Sequence, residues 1–129
     1  MTDRPPRLSQ DEFDLIVAHA VERIPRDIRR HLDNIAITVQ RRPSRTLLRE
    51  MHVPRGDTLY GIFEGDALTE RSASEPPLYP DRIIIFQEPL ENDCDTIDER
   101  TREIERTVVH EIAHYFGIEE ERLAELGYE

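Results

Sequence analysis

The chain has 129 residues, enough for one domain with a single core and with little room for a second lobe. Its 17 basic side chains, all Arg, face 28 acidic ones for a net charge of −11, which argues against nucleic acid or an anionic membrane as main partner, since both demand a cationic face. A single cysteine, Cys94, excludes an internal disulfide, no apolar run approaches the ~18 residues of a membrane span, and the start lacks a secretory apolar stretch, so a reducing, cytoplasmic compartment is expected.

Residues 1–8, with Pro5-Pro6 and no periodicity, are expected to form a disordered tail, leaving 9–129 as the single domain. Ser9 with Glu12 three residues on reads as a capping box, and Phe13, Ile16, Val17, Ala20, Val21 and Ile24 form the apolar stripe of a first helix that Pro25 ends. A helical turn over 27–32 leads to a β-branched strand at 34–39, stopped by Arg41-Arg42-Pro43. Residues 46–51 suggest a short helix and Pro54-Arg55-Gly56-Asp57 a turn. Residues 58–64 read as a second strand, in which Gly61 permits a bulge or a close approach by another backbone. A polar, proline-rich loop over 65–80 is too long for a hairpin.

Ile83-Ile84-Ile85-Phe86 lacks alternation, so the strand over 82–87 should lie inside the sheet, covered on both faces and closed by Pro89. The acidic loop Glu91-Asn92-Asp93-Cys94-Asp95 should raise the Cys94 pKa and leave it a bystander thiol. Thr96 with Glu99 caps a helix of about five turns that Gly117 stops, and Leu123 and Leu126 suggest a terminal helix ending at Gly127.

The long helix carries His110-Glu111-Ile112-Ala113-His114, followed by Tyr115-Phe116-Gly117. Residues four apart on a helix share one face with β-carbons about 5–6 Å apart, so two imidazoles can bind one tetrahedral zinc with Glu111 beside it. Shuffling this composition would yield the pentamer in roughly one chain in forty, and the following Gly117 lowers that to about one in a thousand. A catalytic zinc takes three protein ligands and keeps one position open for water. With 15 residues left after His114, a ligand more than twenty residues downstream is nearly excluded. If Gly117 reverses the chain, Glu120 reaches the metal, with Glu119, Glu121 and Glu125 as competitors. That order resembles the metzincin arrangement, where His or Asp normally stands at the last position. Glu111 is the expected general base, taking a proton from the attacking water and passing it to the leaving amine. Tyr60, Tyr79, Tyr115 and Tyr128 are candidate extra donors, and His19, His31 and His52 have no partner at ligand spacing.

The run Thr107-Val108-Val109-His110-Glu111-Ile112-Ala113-His114-Tyr115-Phe116-Gly117-Ile118, with Leu123-Ala124-Glu125-Leu126-Gly127-Tyr128, resembles the small bacterial zincin-like metallopeptidases. The likeness extends upstream through Leu59-Tyr60-Gly61-Ile62-Phe63-Glu64-Gly65, Leu68-Thr69-Glu70-Arg71 and Pro80-Asp81-Arg82-Ile83-Ile84-Ile85-Phe86. It implies a minimal zincin-like α+β fold, a small mixed sheet packed on the N-terminal helix and the motif helix. Relatives usually carry Asp where this chain has Glu120, and no Met follows the motif, so no Met-turn is expected. The implied activity is zinc-dependent peptide hydrolysis with one ion held by His110, His114 and Glu120, acting on a peptide or protein substrate held as an added strand along 58–64. The rival readings are a zincin-fold binding or regulatory module with little proteolysis, favoured by the missing second lobe, and non-haem iron chemistry, which lacks oxygenase context. Composition and spacing leave the substrate and the oligomeric state unspecified.

Overall fold

The computed structural model describes residues 7–65 and 81–128, so the expectations for the first six residues and for 66–80 lie outside the described residues. The first helix, α1 (Gln10–Glu22), starts where the capping box is expected: the Ser9 hydroxyl accepts the Glu12 N–H and the Glu12 carboxylate accepts the Ser9 N–H, both at 3.2 Å. It buries Phe13, Val17 and Ala20. Pro25 then opens α2 (Arg26–Arg29), which tightens into a 3-10 turn over Arg30–Leu32 and buries Ile28 and Leu32.

The first strand, β1 (Ala36–Gln40), begins later than the β-branched run suggests. Its delay has a local cause, because the Ile35 N–H still donates to the Leu32 carbonyl at 3.0 Å and so belongs to the preceding turn. Ser44 caps α3 (Arg45–Glu50), accepting the Leu47 N–H at 3.0 Å. The second strand, β2 (Gly61–Glu64), is shorter than the expected 58–64. Its ladder ends where the Phe86 N–H donates to the Tyr60 carbonyl at 2.8 Å; beyond Phe86 the paired strand turns helical, and among the described residues nothing pairs with 58–59.

The isoleucine run forms β3 (Arg82–Phe86) at the centre of a three-stranded mixed sheet of order β1-β3-β2, parallel to β1 and antiparallel to β2. Coverage on both faces explains the missing alternation. Ile83 and Ile85 pack with Phe13, Val17, Val108 and Ile112 on the helix side, while Ile84 joins Ile62 and Phe86 under Leu47 and Leu59 on the other.

Pro89 does not close β3 into a loop. It sits in the first turn of α4 (Gln87–Asp93), where a helix needs no N–H from it, so the acidic segment is largely helical. Glu91 is buried there, accepting the Leu8 N–H at 2.9 Å and pairing with the fully buried Arg100 at 3.6 Å. Cys94 follows, its thiol pushed up to about 11, first by burial and then by the nearby Glu103 and Glu99 carboxylates.

The long helix α5 (Ile97–Phe116) is capped by Thr96, whose hydroxyl accepts the Glu99 N–H at 3.0 Å; the Glu99 carboxylate returns its bond to the Asp95 N–H at 2.9 Å rather than to the cap itself. Gly117, at φ 67°, stops it in the left-handed conformation. Six residues, Glu120–Glu125, form α6, after which the buried Tyr128 donates its hydroxyl to Glu105 at 2.5 Å. No described helix is long and apolar enough to cross a membrane.

Candidate metal and catalytic site

The helix α5 does two jobs with one periodicity. Val108, Val109, Ile112 and Ala113 are buried in the core, and the residues between them turn outward: His110 and Glu111 are half-buried and His114 is exposed. His110 and His114 are four apart within an unbroken helix, so their imidazoles share one face.

Edge strand β2 runs against this helix. Its pairing with β3 engages Tyr60, Ile62 and Glu64, so the peptide groups of Gly61 and Phe63 point to the outer edge. The Phe63 N–H donates to Glu111 Oε2 at 3.1 Å. Close contact makes this possible: an added β-carbon on Gly61 would lie 2.8 Å from Thr107 Cγ2, so only glycine lets the strand lie this near α5. The close approach read from Gly61 in the sequence is thus to a helix side chain one turn before Glu111.

Burial raises the Glu111 pKa, and the Phe63 N–H and the charge of His114 work in the opposite direction. An aromatic wall stands beside it. Tyr115 stacks on Phe63 with ring centroids 4.0 Å apart and meets Phe116 edge-on at 4.8 Å, and its hydroxyl donates to Asp81 at 3.1 Å. Phe116 in turn packs on His31, with centroids 4.5 Å apart. Neither Asp81 nor the Phe63 amide stood out in the sequence. Only the mixed sheet topology brings them to the motif, and no spacing rule encodes that.

Of the tyrosines considered as extra donors, Tyr60 gives its hydroxyl proton to Asp93 at 2.5 Å, Tyr115 to Asp81 and Tyr128 to Glu105, while Tyr79 lies outside the described residues. Each described phenol is thus already engaged with a carboxylate.

The donor chemistry suits zinc at two positions, with neutral-capable imidazoles at i and i+4 and a carboxylate between them. Glu120 opens α6 and is exposed, as are Glu119, Glu121 and Glu125, and among the described residues no three His, Cys, Asp or Glu side chains are gathered to hold a metal ion. The structure therefore carries His110, Glu111 and His114 on one helix and Glu120 at the start of the next.

Comparison with known proteins agrees with this architecture. No curated protein matches the chain. Among solved structures, a conserved hypothetical protein from Thermus thermophilus is similar in fold, with a TM-score of 0.54 at 19% identity over 92% of this chain and 99% of that one. The family model described as zincin-like metallopeptidase matches residues 32–128, from the end of the 3-10 turn through the motif helix to Tyr128. On that match, the chain belongs to the zincin-like metallopeptidase family.

Proposed function

We propose that the protein is a zinc-dependent peptidase in which His110 and His114 hold the metal and Glu111 is the general base. The observation that carries this reading is the placement of Glu111: between two same-face histidines, half-buried, and tied by Oε2 to the outward amide of an edge strand. Zinc bound there would acidify a water toward pH ~7 and polarise the scissile carbonyl. The protein's own groups do the rest. Phe63 fixes one Glu111 oxygen, leaving Oε1 to take the proton of the attacking water and hand it to the leaving amine nitrogen. With the Phe63 N–H held by Glu111, the outward N–H and carbonyl of Gly61 and the carbonyl of Phe63 are left for an extended substrate to pair with, and the Tyr115 and Phe63 rings give it an apolar wall. Glu120 is the proposed third ligand, which requires the turn after Gly117 to move it toward the histidines.

The second reading, a metal-binding zincin-fold module with little proteolysis, draws its support from the lack, among the described residues, of three His, Cys, Asp or Glu side chains gathered to hold an ion. Metal analysis combined with peptide-library cleavage separates the two. The peptidase reading expects about one zinc per chain and cleavage that falls by at least ~100-fold in Glu111→Gln with zinc retained. Cleavage that survives Glu111→Gln overturns the assigned base. Zinc binding without cleavage of any peptide favours the module. Loss of zinc in Glu120→Ala, but not in Glu119→Ala, Glu121→Ala or Glu125→Ala, identifies the third ligand.

A further inference from the structure

The sheet has a second edge, remote from Glu111. Parallel pairing with β3 turns the peptide groups of Ala36, Thr38 and Gln40 inward, so those of Ile37 and Val39 point away from the sheet, and no described residue pairs with them. The usual devices that blunt a free edge are missing from this strand: it has no Lys, no Pro and no bulge. Beside it an open cleft separates the strand from α1, lined by Val17, Ala18 and Val21 on the helix and by Ile37 and Val39 on the strand, both only half-buried. On the opposite face, beside Ile84, the Thr38 hydroxyl is buried without a hydrogen-bond partner.

We propose that this edge is the interface between two copies of the chain, joined by antiparallel β1–β1 pairing across a twofold axis at Thr38. Only registers that match outward residue with outward residue close the ladder, and the twofold register that uses both outward residues pairs Ile37 with the second copy's Val39 and Val39 with its Ile37. Their side chains then cover one another on the cleft side. Thr38 meets its own copy in the non-hydrogen-bonded position between them, with α-carbons about 4.5 Å apart.

Charge selects the same arrangement. The N-terminal end of α1 lies beside the end of β1, since Gln10 shares one recess with Val39 and Arg41, so Glu22 at the other end of α1 lies toward the start of β1 with the exposed Asp33. Arg41 and Arg42 follow the strand's end, their side chains 73% and 68% exposed and only loosely paired with Glu88 at 3.8 Å. Antiparallel pairing sets each copy's arginines against the other's Glu22 and Asp33. A parallel copy would oppose like with like. The joined sheet has six strands, with both β2 edges, and both Glu111 residues, on its outer margins.

Sedimentation velocity over about 1 to 500 µM tests the pairing. The expected result is a concentration-dependent shift from 15.2 kDa to twice that mass, accompanied by at least about tenfold slower exchange of the Ile37 and Val39 amides. All four charges are exposed, so Arg41→Glu/Arg42→Glu and Glu22→Arg/Asp33→Arg should each fold and remain monomeric alone. Mixed one to one they should form a heterodimer, because both ends of the interface become attractive again. A wild type that stays monomeric throughout the range overturns the proposal. So do charge variants that still self-associate, a mixture that does not, or Ile37 and Val39 amides that are protected only when a different protein is added.

Discussion

Substituting Gly61 by alanine tests the contact that seats Glu111 of α5 against the sheet. Gly61 does not have a positive φ, so alanine meets no backbone strain there and, by restricting the unfolded chain, would alone stabilise by about 0.4–1 kcal/mol. Opposing this, the new β-carbon would sit 2.8 Å from Thr107 Cγ2, 3.0 Å from the Ile84 carbonyl oxygen and 3.2 Å from Ile85 Cδ1. Overpacking of that kind costs about 1–3 kcal/mol, and a backbone oxygen cannot swing aside as a side chain can. The balance is a loss of about 1–2 kcal/mol, or a fall in Tm of about 3–10 °C for a chain of this size. Thr107→Ser removes the offending methyl while keeping the hydroxyl that donates to the Glu103 carbonyl at 2.7 Å. A double-mutant cycle by urea unfolding should therefore give a favourable coupling of at least about 0.5 kcal/mol between Gly61→Ala and Thr107→Ser. Gly61→Ala that stabilises the protein, or a coupling of zero, would refute the claim that glycine is needed for this approach.

Three further outcomes are expected. Cys94 is 7% exposed with its pKa pushed up to about 11, so it should resist iodoacetamide at pH ~8 in the native protein and react at the ordinary thiol rate in urea; equal rates would contradict the burial. Glu91→Gln strips the compensating charge from buried Arg100 and should cost about 3–5 kcal/mol, whereas Arg23→Ala, breaking the more exposed pair with Glu105, should cost under ~1 kcal/mol in the same denaturation assay. Burial and the bond to Glu105 raise the Tyr128 pKa above its ordinary 10.0, so the folded state holds the phenolic proton more tightly than the unfolded one; stability from this group is complete below pH 10.0 and lost as the pH climbs beyond it. Urea midpoints across that range should fall for the wild type and fall less for Tyr128→Phe.

Local rules carried far into this molecule because its elements obey them. Ser9, Ser44, Thr96 and Gly117 mark helix ends by hydrogen bonds or backbone conformation that lie within a few residues of themselves, and the isoleucine run declares its two covered faces by its lack of alternation. The misreadings arose where a partner distant in sequence decided the outcome. Pro89 is as compatible with a helix's first turn as with a strand's end, and residues 58–59 are as β-prone as 61–64 but have no ladder partner among the described residues. The same division runs through the site. His110, Glu111 and His114 are fixed by helical spacing, while the amide that holds Glu111 belongs to a residue 48 positions away. Glu120 depends on how far the turn after Gly117 swings, which spacing alone does not determine.

Interleaving motif and core on α5 bears on how readily the two histidines accept a ligand. Val108, Val109 and Ile112 anchor the same turns that carry His110 and His114, so the amides of this stretch should be among the last to exchange and the imidazole spacing should persist with or without a bound ion. Ordering those two side chains costs only rotamer freedom, because the backbone is already set. Glu120 lies on a separate short helix, α6, which Leu123 anchors in the core and Arg122 ties to Asp27. In the proposed site the two histidines would thus be offered already spaced, and the cost of recruiting Glu120 would be that of shifting α6 from its anchored position.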